Sequence, residues 1–131
     1  MTLARTHQGS CHCGAVRHEV DLDLGAGTFK CNCSICTKAR SWLAPVKPGA
    51  FRILAGNDAL TEYTFGPCRV HHFFCSRCGI RIFGRAEGGE CAVQVATLDD
   101  ATPSELIRAP VQYFDGRHDN WSAAPAETAH L

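Results

Sequence analysis

The sequence predicts an all-β domain, on three observations. Apolar residues recur with a two-residue period, turn-forming residues punctuate the chain at short intervals, and helical periodicity is scant. Val16, His18, Val20 and Leu22 share one side of the first run, which makes it a strand with one buried face. Phe51 and Ile53 repeat that alternation, as do Ile80 and Ile82. Further strands are expected at 41–46, 60–65, 70–74 and 91–98. The turns between them are marked by Gly25 and Gly27, Pro48-Gly49, Gly56-Asn57-Asp58, Gly66-Pro67 and Gly88-Gly89. A helix of one or two turns is expected after Thr102, where Thr102-Pro103-Ser104-Glu105 places an N-cap and a proline before Leu106 and Ile107.

Length and composition bound the function. With 131 residues, 45% of them hydrophobic and 20% charged, the chain matches one domain over residues 1–131. A domain of that size buries about two thirds of its unfolded surface. The formal charge is zero and the pI about 7.0, so neither a basic face for nucleic acid nor a cationic stripe for a membrane surface is available. No stretch approaches the length of a membrane span and no apolar run precedes the first cysteines, so a cytoplasmic protein is expected. Small molecules or proteins are the expected partners, and nothing in the sequence sets a subunit number. The tail at 123–131 is small and polar and is expected to fray.

Seven of the nine cysteines fall into three clusters, Cys11/Cys13, Cys31/Cys33/Cys36 and Cys75/Cys78. An odd count in a reducing compartment is a poor disulfide framework, and the spacing is that of metal ligation. Sulfurs two apart lie on one side of an extended segment, and those three apart converge over a tight turn. Both suit a tetrahedral ion bonded at roughly 2.3 Å. Gly14 and Gly79 follow directly and relieve such turns by accepting positive φ. The competing reading is that the trio is redox-active, or that its thiols oxidise to one another.

Cys11-His12-Cys13-Gly14 precedes a strand and Cys75-Ser76-Arg77-Cys78-Gly79 links two, so the pairs can face each other as opposed knuckles of a closed, structural zinc site. Cys31, Cys33 and Cys36 supply three thiolates, one short of a tetrahedron, and an open fourth position implies Lewis-acid or thiol chemistry. A distant His12, His71, His72 or His118 closing that position is the alternative. A partition of Cys11, Cys13, Cys31 and Cys33 against Cys36, Cys75 and Cys78 also satisfies the spacing, as does iron–sulfur ligation. Zinc is the expected cofactor, two ions per chain. Cys68 and Cys91 fall outside the motifs, and Cys91 begins an apolar run and is expected to be buried.

Gly9-Ser10-Cys11-His12-Cys13-Gly14-Ala15-Val16, Cys31-Asn32-Cys33-Ser34-Ile35-Cys36 and Phe74-Cys75-Ser76-Arg77-Cys78-Gly79-Ile80 together resemble the glutathione-dependent formaldehyde-activating enzyme family, to which centromere protein V is related. The likeness runs from about 9 to 119 and takes in Val46-Lys47-Pro48-Gly49-Ala50-Phe51 and Tyr113-Phe114-Asp115-Gly116. It implies an Mss4-like complex β fold of short antiparallel strands around zinc-binding knuckles. It implies a structural zinc on Cys11, Cys13, Cys75 and Cys78 and a catalytic zinc on Cys31, Cys33 and Cys36. The activity it implies is a carbon–sulfur lyase that reversibly adds a small thiol such as glutathione to an aldehyde such as formaldehyde.

Glutathione carries two carboxylates, so Lys38, Arg40 and Lys47, which follow the trio closely, are candidate substrate anchors. Residues 115–121 form the densest polar segment outside the cysteines and are expected to fold over the open cluster, with His118 or Asp119 as acid or base. Of the adjacent His71 and His72, one points inward and the other outward. Two rival functions stand beside the lyase: a protein-binding module with both zincs structural, and a thiol-based metal or oxidant sensor.

Overall fold

The structure, a computed structural model, describes residues 3–131 and is built mainly of strands, as the alternation predicts. Strands β1 (Ala4–Ser10), β2 (Arg17–Asp23) and β5 (Phe51–Ala55) form an antiparallel sheet in the order β1-β2-β5. The second sheet holds β3 (Thr28–Cys31), β4 (Leu43–Val46), β6 (Leu60–Tyr63), β7 (Val70–Cys75), β8 (Arg81–Ala86), β9 (Cys91–Gln94) and β10 (Val111–Phe114). Its order is β10-β3-β4-β9-β8-β7-β6, with β10 and β3 parallel and all other neighbours antiparallel.

The alternation in β2 works as read: Val16, His18, Val20 and Leu22 are all buried. Val20, Leu22 and Leu24 pack on Ala44, Val46, Val93 and Val95 to make one core between the sheets. A second apolar cluster, Val16, Ile82, Phe83 and Ala59 around Cys11 and Cys75, lies beneath the four-cysteine loops. Each fully buried valine or isoleucine contributes roughly 2 kcal/mol. Ile80 departs from the expected alternation. It precedes β8 and is exposed, because the turn carrying Cys78 and Gly79 ends only there.

Strand ends also differ from expectation. The run expected at 91–98 is a strand only to Gln94 and then a short 3₁₀ turn, Val95–Thr97, which leads Asp99 and Asp100 back against β1. There Asp99 N–H donates to the Gln8 carbonyl at 2.8 Å and Ser10 Oγ to Asp99 Oδ2 at 2.6 Å. Two six-residue helices are present, α1 (Ser34–Ala39) and α2 (Pro103–Arg108). The second begins with a full capping box between Thr102 and Glu105, and Glu105 also takes two 2.9 Å hydrogen bonds from the Arg5 guanidinium. The tail is tied back: Arg40 Nη1 donates to the His130 carbonyl at 2.6 Å and Lys30 Nζ to the Leu131 carbonyl at 3.1 Å. Among the described residues no helix is long and apolar enough to cross a membrane.

Candidate metal centres and the cavity beside them

Two loops build the first cluster. The β1–β2 connection carries Cys11 and Cys13, and the β7–β8 connection carries Cys75 and Cys78. Both turn on a glycine at φ +79, Gly14 and Gly79, where a side chain is strained by the backbone although nothing stands within 4 Å of a Cβ. Each loop closes alike: Cys11 N–H donates to the Val16 carbonyl at 3.0 Å, and Cys75 N–H to the Ile80 carbonyl at 2.9 Å. Backbone N–H groups then reach the sulfurs, Val16 to Cys11 Sγ at 3.3 Å and Arg77 to Cys75 Sγ at 3.4 Å, as anionic thiolates require.

The four sulfurs lie within 4.8 Å of one another. Cys11 and Cys13 are 3.6 Å apart and Cys13 and Cys75 3.7 Å, against the roughly 3.8 Å that bonds of about 2.3 Å impose on a tetrahedron's edge. The group can therefore hold a tetrahedral ion with little movement.

The second cluster forms where β3 runs into α1. Cys31 ends the strand, Cys33 is the helix N-cap with an extended backbone, and Cys36 is one turn into the helix. Their sulfurs also lie within 4.8 Å, and Cys33 N–H donates to Cys31 Sγ at 3.3 Å. Contacts with Cys31 and Cys36 pull the Cys33 thiol well down, while Cys31 and Cys33 push Cys36 well up, so the close sulfurs compete for negative charge. A divalent cation removes that competition by deprotonating all three.

Among the described residues the cysteines gather as four and three, with no fourth ligand beside the trio. None of the candidate histidines joins the three sulfurs: His71 bonds Glu62, His118 Nδ1 bonds Asp115 at 2.9 Å, and His72 lines the cavity beside the trio with its Nδ1 on Arg81 Nη2 at 2.7 Å. His12 borders a separate depression.

The trio opens on a cavity of about 690 Å³. The parallel pairing of β10 with β3 sets Phe114 opposite Cys31, so the chain leaving β10 crosses directly over the cluster. Asn32, between two of the cysteines, clamps that crossing. Its Nδ2 donates to Asp115 Oδ1 at 2.8 Å and its Oδ1 accepts from Arg117 N–H at 2.9 Å. The Asn32 amide, with His118 behind it, holds the Asp115 carboxyl below the usual carboxylate range. Gly116, Arg117 and Trp121 then line the cavity beside the trio.

The segment 115–121 therefore lies where the sequence reading put it, but His118 and Asp119 serve the loop's own structure. His118 is 72% exposed and bonded to Asp115, and Asp119 accepts from Trp121 Nε1 at 2.7 Å. Neither lines the cavity. The expected anchors also lie elsewhere, because α1 turns Lys38 and Arg40 toward a second depression of about 770 Å³ beside Cys11 and Gly79, and Lys47 is exposed in the β4–β5 turn. The cations on the cavity are instead Arg69, Arg81 and Arg117.

Arg81 belongs to a buried polar group that spacing did not reveal. Its Nη1 donates to Ser41 Oγ at 2.9 Å, its Nη2 meets His72 Nδ1 at 2.7 Å, and Gln94 Nε2 donates to the same Ser41 oxygen at 3.2 Å. A guanidinium only donates, so His72 Nδ1 is the acceptor and the neutral ring carries its proton on Nε2. Burial, reinforced by the Arg81 charge, lowers the His72 pKa and keeps that ring neutral. Registers across three strands assemble this group, and the sole sequence signal was the inward-facing histidine of the His71-His72 pair.

Fold and site together define a small β protein whose loops gather one four-cysteine and one three-cysteine cluster, each able to hold a metal ion, with a cavity at the second. The sequence profile of the glutathione-dependent formaldehyde-activating enzyme family matches residues 6–115, and the chain belongs to that family. The structure is also similar to a crystal structure of a Rhodobacter sphaeroides protein, with a TM-score of 0.70 and 34% identity over 80% of this chain and 99% of that one.

Proposed function

We propose that this protein is a zinc-dependent carbon–sulfur lyase that reversibly joins a small thiol to an aldehyde. The observation that carries the reading is the three-cysteine cluster, which lacks a fourth protein ligand among the described residues and faces a cavity large enough for substrates. In this reading Cys11, Cys13, Cys75 and Cys78 hold a structural zinc and Cys31, Cys33 and Cys36 a catalytic one. The four sulfurs are saturated by one ion, and the three are not. Zinc at the trio supplies Lewis acidity and favours the thiolate form of a thiol substrate.

The chain's own residues do the rest. Asn32 and Asp115 fix the loop over the trio, and Trp121 adds an aromatic wall to the cavity beside Gly116. Arg117, exposed beside Gly116, offers a carboxylate anchor for an acidic thiol such as glutathione in place of Lys38, Arg40 and Lys47, which do not line the cavity. His72, kept neutral by burial and by the Arg81 charge, presents Nε2–H as a donor to the aldehyde oxygen as negative charge develops on it. A centre of unpaired thiols suits a reducing cytoplasm.

Ligand exchange tests the reading against a binding module with two closed sites. In the cobalt-substituted protein, glutathione should change the thiolate-to-metal absorption of the trio, and Cys36→Ser should abolish that change. A spectrum indifferent to thiol overturns the open-site reading. Reversible loss of the trio's metal under mild oxidation, without turnover, points to the sensor instead.

A further inference from the structure

The cavity is larger and more apolar than a one-carbon aldehyde requires. Its volume of about 690 Å³ falls among pockets of roughly 300–1,000 Å³ that enclose drug-sized ligands. The sheet register defines its floor. Pro45 on β4 stands opposite Ala92 on β9, Ala92 opposite Gly84 on β8, and Gly84 opposite His72 on β7. All four line the cavity, and the row crosses three strand spacings, roughly 14 Å. At its centre stand the two smallest residues, Gly84 and Ala92. A Cβ on Gly84 meets nothing nearer than 3.6 Å, so the trough exists because the residue is small and not because the backbone demands glycine. Leu43, Phe65 and Val70 contribute apolar walls.

A peptide laid along that floor leaves its amides over Pro45, Ala92 and Gly84, which offer no side-chain partner, whereas a hydrocarbon chain gains from every methylene it buries. Of the charged lining groups, Arg69, Glu90 and Arg117 are exposed at the margins, and Arg81 has its two terminal nitrogens on Ser41 and His72. We propose that the aldehyde taken by this site carries a linear aliphatic chain of several carbons, which lies over Gly84 and Ala92 with its carbonyl at the trio, and that these two residues set that specificity. The thiol sulfur bonds to the carbonyl carbon, the C=O π pair moves to oxygen, and the thiol's proton ends there, giving a hemithioacetal without oxidant or reductant. The inference rests on the lyase reading for the reacting end and on the trough alone for the chain.

Two measurements separate those parts. In calorimetric titration of the zinc-loaded protein with 1-alkanols from ethanol to octanol, which cannot form the adduct, affinity should rise about threefold to fourfold per methylene. Gly84→Leu should weaken octanol at least tenfold, and Ala92→Leu serves as the second variant should Gly84→Leu not fold. Affinity independent of chain length, or octanol binding untouched in a folded trough variant, overturns the proposal. With glutathione as the thiol, kcat/KM for hexanal should exceed that for formaldehyde at least tenfold, and Gly84→Leu should lower that ratio at least tenfold. A preference for formaldehyde overturns the proposal. Length-dependent alkanol binding without turnover of either aldehyde sinks the lyase reading and supports the trough.

Discussion

Gly116 lies against Cys31 so closely that a Cβ on it would stand 2.6 Å from the sulfur and 2.7 Å from Trp121 Cη2. The glycine of the Tyr113-Phe114-Asp115-Gly116 motif is thus required by the cluster, for its φ lies outside the left-handed region and the obstacle is wholly steric. Gly116→Ala should displace Cys31 or the loop and cost the chain the trio's metal, with a change in Tm of no more than roughly 5 °C because none of its neighbours Cys31, Cys33 and Trp121 belongs to either apolar cluster. Elemental analysis beside a thermal melt checks it, and full metal content in the variant contradicts the packing described.

Much of this site was legible because metal ligation leaves its geometry in spacing. Cys-x-Cys and Cys-x-x-Cys with following glycines can be read without knowing which strands pair. Arg81, Ser41 and His72 could not be found that way, since they converge only through the β7–β8–β9–β4 register. Proximity in sequence misdirected the choice of Lys38 and Arg40, because a helix of six residues is enough to turn them away from Cys33. In the fold, β2 announced itself by its buried alternate residues His18, Val20 and Leu22, continuing from Val16 just before it, while β1 did not. ARTHQGS buries only His7 and Gly9 and carries no apolar stripe. The parallel β3–β10 pair escaped because both strands are four residues long and their partners stand 83 residues apart in sequence, Thr28 from Val111 and Cys31 from Phe114.

The four-cysteine cluster joins two loops from different sheets, and in the proposed reading a zinc ion there would contribute about 10 kcal/mol or more, comparable to the stability of a whole domain. Cys78→Ser should therefore abolish the cooperative melt or lower Tm by more than roughly 15 °C. A melt like that of the unmodified protein rules out the structural role.

Arg81 contributes to the low His72 pKa, after burial itself. Replacing it by glutamine removes a positive charge from beside Nδ1, so the His72 pKa should rise and the charged ring should persist to higher pH. Histidine NMR titration of the zinc-loaded protein reads this directly. An unchanged or lower value shows that Arg81 does not govern the ring.

His18 is buried beneath Phe51, with ring centroids 5.2 Å apart. Thr97 Oγ1 donates its proton to the Gln94 carbonyl, so it must accept from His18 Nε2–H, which leaves Nδ1 without a proton and without a partner. Burial lowers this pKa from 6.5 to about 4, opposed by Asp99. Between those values the unfolded chain binds the proton and the folded one does not. The contribution is complete above pH 6.5 and is lost as pH falls toward 4. Tm should drop across that window, and His18→Gln, which keeps a donor for Thr97, should show a shallower slope. Equal slopes contradict a buried neutral His18.

One closed and one open zinc centre in the same chain can be counted as zinc per folded chain in protein purified under reducing conditions, alongside Cys36→Ser. Two ions are expected in the unmodified protein and one in the folded variant. One ion in the unmodified protein, or two in the variant, is incompatible with such a pair of centres.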